Sequence, residues 1–69
     1  MNFLIAIQKM AEKGGFVKLP GSQYGYTLAV GSTEQIMLAH KRAPFIRSTA
    51  PLPQLSALLS DKWVVVQKL

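Results

Sequence analysis

The chain has 69 residues, 49% of them hydrophobic, with a formal net charge of +5 and no cysteine. This length accommodates one domain, residues 1–69, while the lack of cysteine excludes a disulfide scaffold and one histidine is too few for a structural zinc site. Eight Lys and Arg residues against three acids indicate a surface that attracts phosphate groups.

An amphipathic helix is predicted at the start of the chain. Asn2 is a favourable N-cap, and Gly14 and Gly15 provide the stop. One face of this helix carries the apolar residues Phe3, Ala6, Ile7 and Met10. Leu4 and Ile5 widen the apolar stripe, which indicates either a subunit contact or a deeply buried helix. The apolar run "FLIAI" is too short for a signal peptide or a membrane span, so we expect a soluble, cytoplasmic protein.

From residue 16 onward the apolar residues alternate with a period of two, which is typical of strands. Strands are predicted over residues 16–19, 24–30, 35–40 and 45–50, with tight loops between the last three. Tyr24, Tyr26, Leu28 and Val30 share one face of the second strand. Loops of hairpin length predict an antiparallel meander.

The prolines of residues 51–53 end the fourth strand, because proline cannot donate to a central ladder. A helical turn or two over residues 54–60 and a closing strand over residues 62–68 complete the chain. The sequence therefore predicts an α+β fold of order α-β-β-β-β-α-β. Its N-terminal helix packs on an antiparallel meander, and a short helix precedes the final strand. The sheet face without that helix must meet solvent, a ligand or another subunit.

The sequence offers little for catalysis. The three carboxylates, Glu12, Glu34 and Asp61, lie on different predicted elements, and His40 has no acid beside it. There is no glycine-rich phosphate loop and no nucleophile elbow. We expect a protein that is not an enzyme and uses no cofactor.

Basic residues lie close to aromatic ones on the predicted strands. Arg47 shares a face with Phe45, and Lys18 shares one with Phe16. Such pairs suit a nucleotide, since the ring stacks on the base and the cation pairs with phosphate. In the alternative, which we favour for both phenylalanines, the rings lie in the core. Lys18 then lies on an edge strand, where its charge discourages aggregation with other chains. Two functional classes remain: a binder of a small anionic ligand, and a module that binds nucleic acid or an acidic host protein.

The stretch "PLPQLSALLSDKWVVV" resembles the closing motif of the Thoeris anti-defence sponge proteins, a family of small phage proteins. Members typically end in a proline-led segment, a short helix reading roughly Asp-Leu-Leu-Ala-x-Asp-Trp, and a strand of valines. They tend to open with Met-Asn-Phe, an alanine-bearing helix and a glycine stop, and "MNFLIAIQKMAEKGG" followed by "FVKL" is similar. The resemblance covers both ends of the chain and includes the order of the elements.

The chain also departs from the family pattern. Ala57 stands where the motif has its first acid, and Lys62 replaces the acid before Trp63. The arginine-to-tryptophan stretch that follows the first strand in the family is absent, because the chain reads "KLPGSQ" there. That stretch commonly contributes to the family's ligand pocket, so the resemblance leaves the identity of the ligand open.

The resemblance implies a sponge that binds a cyclic nucleotide immune signal, such as a cyclic ADP-ribose isomer or a cyclic oligonucleotide, and does not cleave it. The signal would then fail to reach the host defence effector in the cytoplasm of an infected bacterium. Homo-tetramers with pockets between subunits are the usual assembly of the family. Size alone also favours a homo-oligomer, a dimer or a tetramer, because so short a chain buries only about 60% of its unfolded surface. The alternative remains a small basic module that binds nucleic acid or an acidic host protein.

Five residues are the candidates for a ligand site: Lys18, Tyr24, Arg42, Arg47 and Trp63. The cations are chosen for phosphate groups and the aromatic side chains for bases. Only Trp63 lies on a position of the matched motif. For Trp63 we favour a structural role, in which its ring staples the short helix to the sheet, over a place in a pocket wall.

Overall fold

The helices and strands follow the predicted order in the computed structural model, which describes residues 1–69. The elements are α1 (Phe3–Lys13), β1 (Phe16–Lys18), β2 (Tyr24–Leu28), β3 (Ile36–His40), β4 (Ala43–Thr49), α2 (Leu55–Leu58) and β5 (Val64–Val66). The predicted α+β class, with a short helix before the final strand, is confirmed.

Helix α1 has the predicted ends and the predicted buried face. The side chain of Asn2 accepts a hydrogen bond from the backbone N–H of Ile5 at 2.9 Å. At the other end Gly14, with φ of 80°, donates its N–H to the carbonyl of Met10 at 2.7 Å. Phe3, Ala6 and Met10 are buried against the sheet. Neither helix has the length and apolar character needed to cross a membrane.

The strands form one five-stranded antiparallel sheet of order β4-β3-β2-β1-β5. The meander of β2, β3 and β4 is as predicted. Strand β1 pairs with β2, and β5 returns to pair with β1, so that Val65 lies opposite Val17. Strands β4 and β5 are therefore the two edges. Pro44 lies within β4, whereas the prediction began that strand at residue 45; an edge position tolerates proline because one side of the strand needs no donor.

The two faces of the sheet differ in what covers them. Cross-strand partners project to the same side, so Val17, Tyr26 and Leu38 share one face, which packs against α1. We call this the helix face. The opposite side, which we call the open face, carries Lys18 and the row formed by Gly25, Ala39 and Arg47, and no helix covers it.

The core lies between α1 and the helix face, and Trp63 is part of it. Its side chain is 3% exposed, and its ring centroid lies 4.7 Å from that of Phe3. The indole N–H donates to the carbonyl of Ala57 at 2.8 Å. This bond ties the segment of α2 to the start of β5, which is the structural role favoured from the sequence.

The C-terminal residue covers part of the open face. Gly25 is buried, and a Cβ atom there would lie 2.5 Å from Cδ2 of Leu69 and 3.1 Å from Cβ of Phe16. The hydroxyl of Thr27 donates to the carbonyl of Gly15 at 2.9 Å on the same side. The end of the chain is thus brought next to β1 and β2.

Candidate ligand-binding cleft

A cleft of about 480 Å³ lies on the open face, between β4 and the C-terminal residues. Its lining residues are Phe16, Lys41, Pro44, Phe45, Arg47, Gln67, Lys68 and Leu69. Three of these have cationic side chains, two have aromatic side chains and none has a carboxylate side chain. We call this site the basic cleft, and its charge suits an anion.

The turn between β3 and β4 positions one side of the basic cleft. Lys41 is held through its backbone N–H, which donates to the carbonyl of Gln23 at 2.8 Å. The next residue, Arg42, donates its N–H to Nδ1 of His40 at 3.1 Å. The register of the two strands shifts between Ala39 and His40. Irregularities of this kind change the direction in which the neighbouring side chains project.

Phe45 is 79% exposed, so its predicted place in the core is wrong. The reason is that β4 is an edge strand on a face that no helix covers. Phe16, on β1, is half-buried beside Gly25 and Leu69. The cleft therefore offers one exposed ring and one packed ring.

Arg47 lines the basic cleft, and a hydrogen bond anchors its side chain. Its Nη1 donates to the carbonyl of Leu28 at 2.6 Å, which carries the side chain across β3. Its Nε is buried and has no hydrogen-bond partner. Leaving a buried donor unpaired costs about 1–3 kcal/mol.

The five residues chosen from the sequence do not form one site. Arg47 alone lines the basic cleft, while Lys18 lies on the open face opposite Val64 and Arg42 lies in the turn after β3. Tyr24 and Trp63 lie together, but on the helix face. The sheet thus separates the two aromatic candidates from Arg47.

A second cavity, of about 310 Å³, lies on the helix face. Tyr24, Tyr26 and Trp63 line it, together with Gln54 and apolar neighbours, and none of its lining residues is charged. The hydroxyl of Tyr26 donates to the carbonyl of Pro51 at 3.3 Å, and burial raises the pKa of this tyrosine. The cavity accommodates an uncharged group but supplies no counter-charge for phosphate.

Lys68 and Lys41 are cleft residues that were not among the five candidates. The predicted strand over residues 62–68 includes Lys68, but β5 ends at Val66 and the chain bends at Gln67, so alternation does not determine where Lys68 lies. Its proximity to Phe16 depends on the pairing of β5 with β1, which no local pattern indicates. Lys41 adjoins Arg42 in the sequence, and only the geometry of the turn shows that Lys41, not Arg42, lines the cleft.

Comparisons of the chain with protein-family models, with curated proteins and with solved structures return no match. No group of three or more His, Asp or Glu side chains is arranged to hold a metal ion.

Proposed function

We propose that the protein binds a phosphate-bearing nucleotide in the basic cleft and retains it without chemical change. The observation that carries this proposal is the placement of one exposed aromatic ring, Phe45, beside three cations in a single cleft. Lysine and arginine form charge-assisted hydrogen bonds with phosphate oxygens. An exposed ring stacks on a base whatever its identity.

The lining of the basic cleft supports retention of a ligand rather than its conversion. No residue that lines the cleft has a carboxylate or imidazole side chain, the groups that most often act as general acids and bases. Its charged side chains, Lys41, Arg47 and Lys68, are hydrogen-bond donors that suit an anion. Sequestration requires binding alone.

The ligand class to test first is a cyclic nucleotide immune signal. The two ends of the chain resemble the Thoeris anti-defence sponge proteins, and cyclic ADP-ribose isomers and cyclic oligonucleotides carry the base and phosphate that the cleft would contact. A protein that holds such a signal in the cytoplasm of an infected bacterium keeps the host effector inactive.

Native mass spectrometry tests the proposal directly. The protein is incubated with a panel of cyclic ADP-ribose isomers, cyclic dinucleotides and cyclic trinucleotides. We expect the complex to gain the intact mass of one panel member and to release that compound unchanged on denaturation. A protein that gains no mass with any member, or a ligand recovered in cleaved form, would contradict the proposal.

Substitutions at the rim of the basic cleft test its location. Lys41→Ala and Lys68→Ala each remove one charge-assisted contact, so each should weaken nucleotide binding at least about tenfold, as measured by isothermal titration calorimetry. Phe45→Ala should also weaken binding about tenfold or more, because stacking on a base is lost, with little effect on folding.

Arg42→Ala is the matched control, since it removes the same charge from the residue next to Lys41 but lies outside the cleft. Its affinity should remain close to that of the unsubstituted protein. An equal loss for Arg42→Ala and Lys41→Ala would show that net charge, not the cleft, provides the affinity.

A further inference from the structure

Three aromatic side chains form walls of the cavity on the helix face. Tyr24 and Tyr26 come from β2, and Trp63 lies just before β5. The cavity volume of about 310 Å³ lies at the lower end of the ~300–1,000 Å³ that sites for small organic molecules occupy. This size favours a compact ligand, and the walls favour one that contains a ring.

Packing and hydrogen bonds hold two of these walls in place. The ring centroids of Tyr26 and Trp63 lie 6.0 Å apart at an interplanar angle of 66°, and both rings pack against Phe3. The hydroxyl of Tyr26 donates to the carbonyl of Pro51 at 3.3 Å. The indole N–H of Trp63 donates to the carbonyl of Ala57 at 2.8 Å. A ligand would therefore meet walls that need little further ordering, which reduces the entropic cost of binding.

Two polar side chains at this cavity have no hydrogen-bond partner within the chain. Gln54 is the N-cap residue of α2, but its side-chain amide makes no capping hydrogen bond and is exposed. The hydroxyl of Tyr24, a residue that is 51% exposed, is also free. Ser22, in contrast, uses its hydroxyl on the backbone of Tyr24. Because an amide offers both an acceptor oxygen and N–H donors, Gln54 provides an unused pair of hydrogen-bonding groups beside the aromatic walls.

The lack of charge around the cavity selects a neutral ligand. No lining residue has a cationic or a carboxylate side chain, and burial raises the pKa of Tyr26, which keeps its phenol neutral. Moving a carboxylate or an ammonium group into such a site costs free energy that no counter-charge offsets. Aromatic faces attract cations, but the net charge of +5 opposes the approach of a cation to this chain.

We propose that the cavity on the helix face binds a compact, uncharged aromatic compound that carries an amide group. The ring of the ligand packs against Tyr24 and Tyr26. Its amide pairs with the side chain of Gln54, because each of two amides satisfies the donor and the acceptor of the other. This inference is independent of the proposed nucleotide function, which uses the opposite face of the sheet.

Three probes of similar shape and different charge test the ligand class. At about pH 7 benzamide is neutral, benzoate is an anion and benzylammonium is a cation. NMR titrations follow the signals of the indole N–H of Trp63 and the side-chain amide of Gln54. We expect benzamide to shift both signals with a dissociation constant on the order of 1 mM, and each ion to bind at least about tenfold more weakly.

Two outcomes of these titrations would overturn the proposal. One is binding of benzoate or benzylammonium as tight as that of benzamide, because the cavity would then not select a neutral ligand. The other is the absence of any shift in the signals of Trp63 and Gln54 at about 10 mM benzamide. Since benzamide carries no phosphate, neither outcome depends on whether the basic cleft binds a nucleotide.

Matched glutamine substitutions test the amide contact. Gln54→Leu keeps a side chain of similar size but removes its hydrogen-bonding groups, so it should raise the dissociation constant of benzamide about three- to tenfold. Gln8→Leu is the control, because Gln8 is exposed in the middle of α1 and does not line the cavity. Its dissociation constant should equal that of the unsubstituted protein, and the NMR spectra show whether both variants are folded. Equal affinities of folded Gln54→Leu and Gln8→Leu for benzamide would contradict the amide contact and with it the proposal.

Discussion

Trp63 contributes both to the core and to a cavity wall. Its ring packs against Phe3 and lies 6.0 Å from the ring of Tyr26, while its indole N–H bonds to the carbonyl of Ala57. The cavity on the helix face is lined in part by the same ring. The two positions weighed for this residue from the sequence are therefore compatible, because one ring both packs in the core and lines the cavity.

Tyr26 should make the stability of the protein sensitive to alkaline pH. Burial raises its pKa above the ordinary value of 10.0, so the unfolded chain releases this proton at a lower pH than the folded protein does. The stability that follows from the neutral phenol is fully present below about pH 10 and is lost as the pH rises through the folded-state pKa.

This pH dependence can be measured by urea denaturation, followed by the fluorescence of Trp63, at a series of values from about pH 8 to about pH 11. The free energy of unfolding should fall at the alkaline end, and it should fall less steeply in the variant Tyr26→Phe. Equal alkaline slopes for the two proteins would show that another group is responsible.

Phe45 shows why the period-two alternation of a strand does not determine whether a given residue is buried. Alternation along β4 indicates only that Phe45 and Arg47 project to the same side. Which elements pack against this side depends on distant parts of the chain, and no helix covers the open face. The ring is consequently exposed beside the cations of the basic cleft.

At the scale of elements, α1 shows the closest agreement between pattern and structure. Its cap, its buried face and its glycine stop all follow from interactions within a few residues. The strands agree in number and order, but β1 and β5 are paired over only three residues each. Alternation of apolar residues identifies a segment with an extended backbone. A residue belongs to a strand only where a neighbouring strand also pairs with it.

The cap of α1 should contribute measurably to stability. Asn2→Ala removes the hydrogen bond to the N–H of Ile5 and should lower the free energy of unfolding by about 1 kcal/mol. Urea denaturation of all variants at one protein concentration provides the measurement. Gln8→Ala, at an exposed position in the middle of the helix, is the control and should change it by no more than about 0.5 kcal/mol. Equal losses would mean that the side chain of Asn2 does not act as a cap.

At the scale of the whole molecule, the net charge of +5 permits two kinds of anionic partner. A cyclic nucleotide would be enclosed in the basic cleft, whereas a nucleic acid would be bound along the surface by many scattered cations. Nonspecific nucleic-acid binding is driven by the release of counterions and therefore weakens steeply with salt. A ligand held by three cations and a stacked ring should depend on salt less steeply.

Salt titrations with a fluorescent cyclic nucleotide and with single-stranded DNA distinguish the two partners. We expect affinity for the nucleotide to fall less between about 50 mM and about 200 mM NaCl than the DNA affinity, which drops by orders of magnitude when six or more phosphates are contacted. Tight DNA binding together with no nucleotide binding would favour the alternative function of a basic nucleic-acid module.

The sequence alone determined the features that depend on neighbouring residues. These include the caps of α1, the period of each strand, the antiparallel meander and the order of all seven elements. Each follows from the local hydrogen-bonding, steric and hydrophobic preferences of residues close together in the chain. The tight loops between β2, β3 and β4 also make the pairing of these strands predictable from the sequence, because so short a connection permits few other arrangements.

Only the tertiary structure decided how distant segments meet. The pairing of β5 with β1 brings Lys68 to Phe16, and coverage of one face by α1 separates Tyr24 and Trp63 from Arg47. Alternation states which residues share a face but not which face the helix will cover. The packing of the whole chain determines which face the helix covers. Because α1 buries one face, the other is left open, and the basic cleft lies on that open face.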